Sequence, residues 1–265
     1  MTGMLKHPDG KPWRILLAND DGINAPGLEV LEAIAAELSD DVWVVAPERE
    51  QSGAGRSISL SHPLRMRKLG PRKFAVEGTP ADSVLMGVRH ILPDEPDLIL
   101  SGVNRGQNIA DDVTYSGTIA AAMEGTALGI KSFALSQTYG IHGSDVPWDT
   151  GRRHGADVVR RLADVQIGPG VLLNINFPDC GPDEVKGTEF TRQGKRDQNL
   201  LMLDQRTDAR GRDYFWIGFK RHQSNPPAGT DLHAVYNGMI SVTPLHTNLT
   251  QVDTLMHLNS LNGNG

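Results

Sequence analysis

Ile15-Leu16-Leu17-Ala18-Asn19-Asp20-Asp21-Gly22 is an apolar run that ends in two adjacent carboxylates and a glycine. Such a run, closed by turn-forming residues, reads as a buried strand with charge delivered at its C-terminal tip. In an open α/β sheet, ligands bind outside the carboxyl ends of the parallel strands. Two acids at such a tip are placed to hold a metal or to handle a phosphate, and their surroundings decide which.

Working outward, strand-like runs at Arg14–Ala18, Val42–Ala46, Asp97–Ser101 and Lys131–Ser136 alternate with helix-like segments, the βαβ rhythm of a parallel sheet. Leu28, Leu31, Ile34 and Leu38 fall at helical spacing after Pro26, which suits a first helical turn. Thr79-Pro80 opens a second helix towards His90 with Thr79 as its cap, and a third runs from near Ser116 to Gly129. Between the second strand and second helix, Ser57–Leu60, Leu64–Lys68 and Phe74–Val76 read as short antiparallel strands, an insertion shaping one wall of a site. Gly140, Gly143, Pro147 and Gly151 mark a loop before a helix at Trp148–Leu162. Val171–Phe177, Glu189–Arg192, Tyr214–Phe219 and Met239–Thr243 read as strands, and Arg206–Asp213 as an exposed hairpin tip. The fold class is α/β, with a three-layer parallel sheet.

The ends of these strands carry the chemistry. The first ends in Asp20-Asp21, the second leads to Ser52-Gly53, and the third to Asn104. Adjacent strand tips lie about 5 Å apart, so side chains from all three can converge on one ion. Two carboxylates, a hydroxyl and an amide oxygen are hard donors, favouring Mg²⁺ or Mn²⁺ over zinc. Each residue alone has a structural explanation: a turn at Asp21-Gly22, a loop at Ser52-Gly53, a backbone cap at Asn104. Three tips ending in this way together favour the metal. Thr114-Tyr115-Ser116-Gly117-Thr118 precedes an alanine-rich helix, whose free N–H groups and positive dipole end suit a phosphate, with Ser116 also able to cap.

Other features carry less. Gly53-Ala-Gly55-Arg-Ser-Ile58 lacks the third glycine of a dinucleotide fingerprint and follows the wrong strand. Gly125-Thr-Ala-Leu-Gly129-Ile-Lys131-Ser132 has the wrong spacing for a P-loop and runs from helix to strand. There is no GxSxG elbow, and the nine histidines form no HExxH pattern. His233 and His246 would serve as general acids only if folding brought them to the site. Asp111-Asp112 suits a solvated or backbone-bonding role. Cys180 is the single cysteine, so neither an internal disulfide nor a CxxC site exists.

A charge of −6 argues against a protein that grips a nucleic-acid polymer through its phosphates, yet leaves room for a small phosphorylated substrate beside a metal. With 38% hydrophobic and 22% charged residues in 265, the composition is that of a globular protein. No run approaches membrane-spanning length and no signal-like segment stands at the start, so a cytoplasmic protein without a membrane partner is expected.

Taken together, the motifs resemble the SurE survival-protein family of 5′/3′-nucleotidases. The matching text is Ile15–Gly22 with Ala25-Pro26-Gly27, Val44–Pro47 with Ser52-Gly53, Gly78–Asp82, Ser101–Gly106 with Asn108, Asp111–Thr118 and Met123-Glu124-Gly125. It returns as Gly229-Thr230-Asp231 and Ser241–Leu245. The resemblance implies hydrolysis of nucleoside 5′- and 3′-monophosphates, with Asp20 and Asp21 as catalytic candidates. It implies one divalent metal ion per subunit on Asp20, Asp21, Ser52 and Asn104, and phosphate near Asn104, Ser116, Gly117 and Thr118. It also implies a Rossmann-like core over residues 14–180 after a poorly ordered leader at 1–13. A C-terminal extension over 181–265 would supply dimer or tetramer contacts, centred on Lys195–Asp213. Gly55 and Arg56 stand where small polar residues are expected, which bears on base or sugar preference. A broader phosphatase or exopolyphosphatase and a non-enzymatic nucleotide sensor are the alternatives.

Overall fold

In the computed structural model, which describes residues 3–141, 145–196, 201–219 and 225–262, the opening run forms strand β1 (Arg14–Ala18), fully buried from Ile15 onward. Pro26 presets the first turn of helix α1 (Pro26–Ala36), whose Leu28, Leu31 and Ile34 face the core. Strands β2 (Asp41–Pro47), β3 (Met66–Gly70) and β4 (Lys73–Val76) follow. Helix α2 (Pro80–Met86) opens with a reciprocal cap: Asp82 N–H donates to the Thr79 hydroxyl at 3.1 Å, and Thr79 N–H to the Asp82 carboxylate at 2.9 Å. Then come β5 (Leu98–Arg105), α3 (Gly117–Ala127), β6 (Lys131–Gln137), α4 (Trp148–Ala163) and β7 (Val171–Phe177). The C-terminal part adds β8 (Thr188–Phe190), β9 (Leu201–Thr207), β10 (Asp213–Phe219), α5 (Asp231–Tyr236), β11 (Ile240–His246) and α6 (Val252–Asn262).

Among the described residues the main sheet runs β3-β4-β2-β1-β5-β6-β7-β11-β8. Strands β4, β2, β1, β5, β6 and β7 are mutually parallel; β3 and β11 run antiparallel to their neighbours β4 and β7. The chain leaves β1 for β2 on one side and later returns to β5 on the other. The strand order therefore switches direction between β1 and β5, the place where open α/β sheets form their crevice.

Helices cover both faces. On one, α1 and α4 approach so closely that a Cβ at Gly155 would meet Cδ1 of Ile34 at 2.4 Å. On the other, Val84 and Val88 of the second helical segment and Ala121 of α3 pack on Leu16, Val45 and Ile99. This three-layer arrangement is the expected fold class, with a mixed rather than wholly parallel sheet.

The insertion is different from the expectation. Phe74–Val76 joins the main sheet parallel to β2, with β3 as its antiparallel edge, and Ser57–Leu60 forms no strand. The buried Phe74, stacked near Trp43 of β2, gives β4 a reason to pair there. Within the expected leader, Leu5 N–H donates to Leu38 O at 2.7 Å and its side chain is buried. The hairpin tip at Arg206–Asp213 is present, with β9 and β10 paired antiparallel. Gly143 and residues 197–200 lie outside the described residues. Among those described, no helix is long and apolar enough to cross a membrane.

Candidate active site

The tip of β1 is built from side chains that have little else to bond. Asn19 is buried, its Nδ2 donates to Gly22 O at 2.9 Å, and its Oδ1 has no partner among the described residues. Asp20 is buried beside it. Oδ1 of Asp20 accepts the Thr118 hydroxyl at 2.5 Å, and its backbone O accepts Gln51 N–H at 2.8 Å. Burial pushes the Asp20 carboxyl up to about 6; the Thr118 hydroxyl pulls it down in part, and neighbouring Asp21 pushes it up again. Asp21 accepts Arg105 N–H at 3.1 Å. Its carboxyl is also raised, first by burial, then by Glu50, against the pull of the Arg105 N–H and charge.

The tip of β5 stands next to it. Gly102, at φ 135°, occupies backbone that only glycine adopts freely, and a Cβ there would lie 2.2 Å from Leu135 O. The β5–β6 register shifts between Ser101 and Asn104, a bulge that re-aims the following side chains. Asn104 Nδ2 donates to Gly106 O at 2.8 Å, which leaves Oδ1 as the free acceptor end of the amide. Ser52, on the loop after β2, is exposed and donates to Glu50 Oε1 at 2.9 Å, keeping oxygen lone pairs for another partner.

Helix α3 points its start at Asp20. Ser116 caps it by accepting Ile119 N–H at 3.1 Å. Both the hydroxyl and the backbone N–H of Thr118 support the Asp20 carboxylate. A Cβ at Gly117 would sit 2.7 Å from Cβ of Asp20, so only glycine allows this approach. Of the four residues expected to seat phosphate, Asn104 stands at the end of β5, the Thr118 hydroxyl is bonded to Asp20, and Ser116 and Gly117 stay at the helix mouth with the positive dipole end.

The donor set fits a hard divalent cation. Two adjacent carboxylates whose charged forms are disfavoured first by burial, Asp20 also by Asp21 and Asp21 by Glu50, an orphaned amide oxygen at Asn19 and the acceptor end of Asn104 are all oxygen donors. Among the described residues no group of three or more His, Cys, Asp and Glu is placed to hold a metal. A site of two carboxylates, a hydroxyl and an amide does not need one.

The remaining sequence candidates separate. His246 pairs with Val171 at the start of β7, the end of the sheet opposite the carboxylate tips. His233 lies in α5, with its Nδ1 buried and without a partner among the described residues. Asp111 accepts Arg196 N–H at 2.9 Å, the backbone role expected for the pair, and Asp112 forms a forked ion pair with the Arg196 guanidinium. Arg56 pairs with Glu124 of α3 at 3.2 Å, linking the Ser52 loop to the helix that supports Asp20.

Sequence reasoning missed the loop's anchorage. Asn108 N–H donates to Asn176 Oδ1 at 2.9 Å, its Nδ2 to the Ser136 hydroxyl at 2.9 Å, and its carbonyl accepts Asn174 Nδ2 at 2.7 Å. Asn174 and Asn176 alternate with Leu173, Ile175 and Phe177 along β7. Two amides on the same face of an otherwise apolar, buried strand were the available signal.

Residues 15–200 match the family model described as Survival protein SurE. The chain is 61% identical over 255 residues to a 5′-nucleotidase SurE of Parvibaculum lavamentivorans, covering 96% of this chain and 92% of that protein. It is 58% identical over 244 residues to a 5′-nucleotidase SurE of Methylobacterium nodulans, covering 91% and 96%. The crystal structure of SurE protein from Aquifex aeolicus superposes with a TM-score of 0.81 at 39% identity, covering 94% of this chain and 99% of that one. The chain belongs to the SurE survival-protein family.

Proposed function

We propose that this chain is a divalent-metal-dependent 5′-nucleotidase that hydrolyses the phosphomonoester of nucleoside monophosphates, releasing nucleoside and phosphate. The observation that carries the reading is the meeting of three elements at the β1/β5 switch point. Asp20 and Asp21 follow the end of β1, Asn104 lies next to the end of β5, and α3 rests its first turn on Asp20 through Thr118 and Gly117. The relatives named 5′-nucleotidase SurE support the same activity.

In this reading Asp20, Asp21, Ser52 and Asn104 hold one Mg²⁺ or Mn²⁺ ion. When bound, the ion neutralises phosphate charge and lowers the pKa of a water. Ser116 and the Gly117 N–H orient the phosphate oxygens at the helix start, where the dipole favours an anion. Asp20, held by Thr118, and Asp21, held by the Arg105 N–H, are the carboxylates that either take a proton from the attacking water or attack phosphorus themselves; in both routes the P–O ester bond breaks and the nucleoside leaves as its alcohol after taking a proton from solvent.

A broad phosphatase and a non-enzymatic sensor are separated from this reading by one experiment. Phosphate release is measured from nucleotides, sugar phosphates and short polyphosphate with Mg²⁺, Mn²⁺ or chelator. Metal-dependent release favouring nucleoside 5′-monophosphates supports the nucleotidase. Equal turnover of all three classes supports the broad enzyme, and binding without turnover the sensor.

We also propose that the C-terminal arm joins subunits into a dimer or tetramer. Leu203, Phe215, Trp216 and Ile217 on the β9–β10 hairpin and Leu258 and Leu261 on α6 are exposed large apolar side chains. Exposed apolar side chains in such number are more often found on interaction surfaces than on monomers. Light scattering on a variant lacking Gln205–Arg212 tests this, and an unchanged assembly would count against it.

A further inference from the structure

Ala110 stands at φ 54°, the left-handed region that a residue with a side chain adopts only when its surroundings hold it there. It is fully buried, and both of its backbone polar groups are held by side chains from the C-terminal part of the chain. Its N–H donates to Oδ2 of Asp231 at 2.8 Å, and its carbonyl accepts Nε2 of Gln193 at 2.9 Å. The other oxygen of Asp231 accepts Gly194 N–H and Leu232 N–H, each at 2.8 Å. One buried carboxylate thus ties together three segments distant in sequence: the loop after β5, the strap at residues 193–196, and the start of α5.

Ala110 opens the 3-10 turn Ala110–Thr114, in which Tyr115 N–H donates to Asp112 O at 3.0 Å, and the next residue is Ser116, the cap of α3. No flexible spacer separates the held residue from the helix start. The strap adds a second grip on this turn through Arg196, whose backbone N–H binds Asp111 and whose guanidinium binds Asp112. From this geometry we infer that Asp231, assisted by Gln193, is a positioning residue for phosphate: it fixes the strained backbone at Ala110 and so sets where Ser116 and Gly117 face the substrate. The inference rests on the reading of Ser116–Gly117 as the phosphate seat.

Asp231 touches neither the carboxylate tip nor the helix mouth, so its loss acts through the turn. The expected signature is a weakened hold on phosphate with a smaller change in turnover. Asp231→Asn keeps the shape but replaces one acceptor oxygen with an N–H₂ that faces backbone donors. Gln193→Ala is the milder variant, removing only the grip on the Ala110 carbonyl.

The test measures product inhibition by inorganic phosphate, KM and kcat for a nucleoside 5′-monophosphate, and the thermal midpoint of each full-length variant. Asp231→Asn is expected to raise the phosphate inhibition constant and KM by about tenfold, and Gln193→Ala by about threefold, each with a smaller loss in kcat. Glycine takes φ 54° without steric cost, so the loss caused by either variant should shrink in an Ala110→Gly background. A role confined to global stability would lower the thermal midpoint without that coupling. The inference is overturned if folded Gln193→Ala and Asp231→Asn both keep phosphate constants within about twofold of wild type, or if their losses are equal in both backgrounds. Ser116→Ala separates the two levels: if it too leaves phosphate inhibition unchanged, the seat itself is wrong; if it weakens phosphate while the other variants do not, only the positioning role falls.

Discussion

The Thr118 hydroxyl donates to Oδ1 of Asp20 at 2.5 Å, joining the first turn of α3 to the tip of β1 across 98 residues of sequence. This bond is also what restrains the upward shift that burial imposes on the Asp20 carboxyl. Thr118→Val keeps volume and β-branching but removes the donor. In the metal-free protein it should raise the Asp20 pKa further and cost about 1–3 kcal/mol in stability at neutral pH. Urea unfolding with chelator across pH, compared with wild type, checks it; an unmoved pH dependence would show that the bond does not tune Asp20.

The raised Asp20 carboxyl also ties stability to pH in the metal-free protein. Between its ordinary 3.8 and about 6 the folded chain holds a proton that the unfolded chain has released. Stability therefore falls as pH rises through this window and stays lower above it. Asp20→Asn removes the penalty, so with chelator it should gain on the order of 3 kcal/mol at neutral pH and nothing below the window. Urea unfolding at the two pH values measures this. A gain of equal size at both would mean that charge on Asp20 is not its source.

Gly117→Ala places a methyl group against Cβ of Asp20, where only 2.7 Å is available. Alanine is the better helix former by about 1 kcal/mol, so propensity alone would stabilise the variant. Steric displacement of the tip should win instead, weakening Mn²⁺ binding by about tenfold or more. Mn²⁺ titration by electron paramagnetic resonance reads this directly, and wild-type affinity in the variant would remove Gly117 from the account.

Asn176→Leu leaves Asn108 N–H without its acceptor inside the sheet. A buried donor stranded in this way costs about 1–3 kcal/mol, on top of any misfit of the larger side chain. The thermal midpoint should fall, and protection of the Asn108 amide from hydrogen exchange should fall with it. A loss of midpoint without a change at Asn108 would place the cost elsewhere.

Much of the core was legible because local signals agreed. Pro26 and Thr79-Pro80 started helices where expected, Ser116 capped α3, and Val171–Phe177 is β7 from end to end. The strand tips pointed to Asp20, Asp21 and Asn104 because ligands bind outside the carboxyl ends of parallel strands, and the structure sets β1 and β5 side by side. What escaped depends on pairing between distant segments. Ser57–Leu60 has strand-like composition but finds no neighbour, whereas Phe74–Val76 finds β2. Helices α5 and α6 are short or exposed, without an apolar stripe long enough to announce them. Thr118 reads as a phosphate ligand until folding shows its hydroxyl turned to Asp20, and Asp231 discloses nothing until Ala110 and Gly194 are brought to it.

A metal-dependent nucleotidase site at the β1/β5 tips ties phosphate release both to the ion and to the tip residues. Phosphate release from a nucleoside 5′-monophosphate, measured with Mg²⁺, Mn²⁺ or chelator for wild type, Asp20→Asn and Asn104→Ala, tests it most directly. Release should be abolished by chelator in the wild type and fall by about a hundredfold or more in both variants while they remain folded. Metal-dependent release near the wild-type rate in both variants would contradict it.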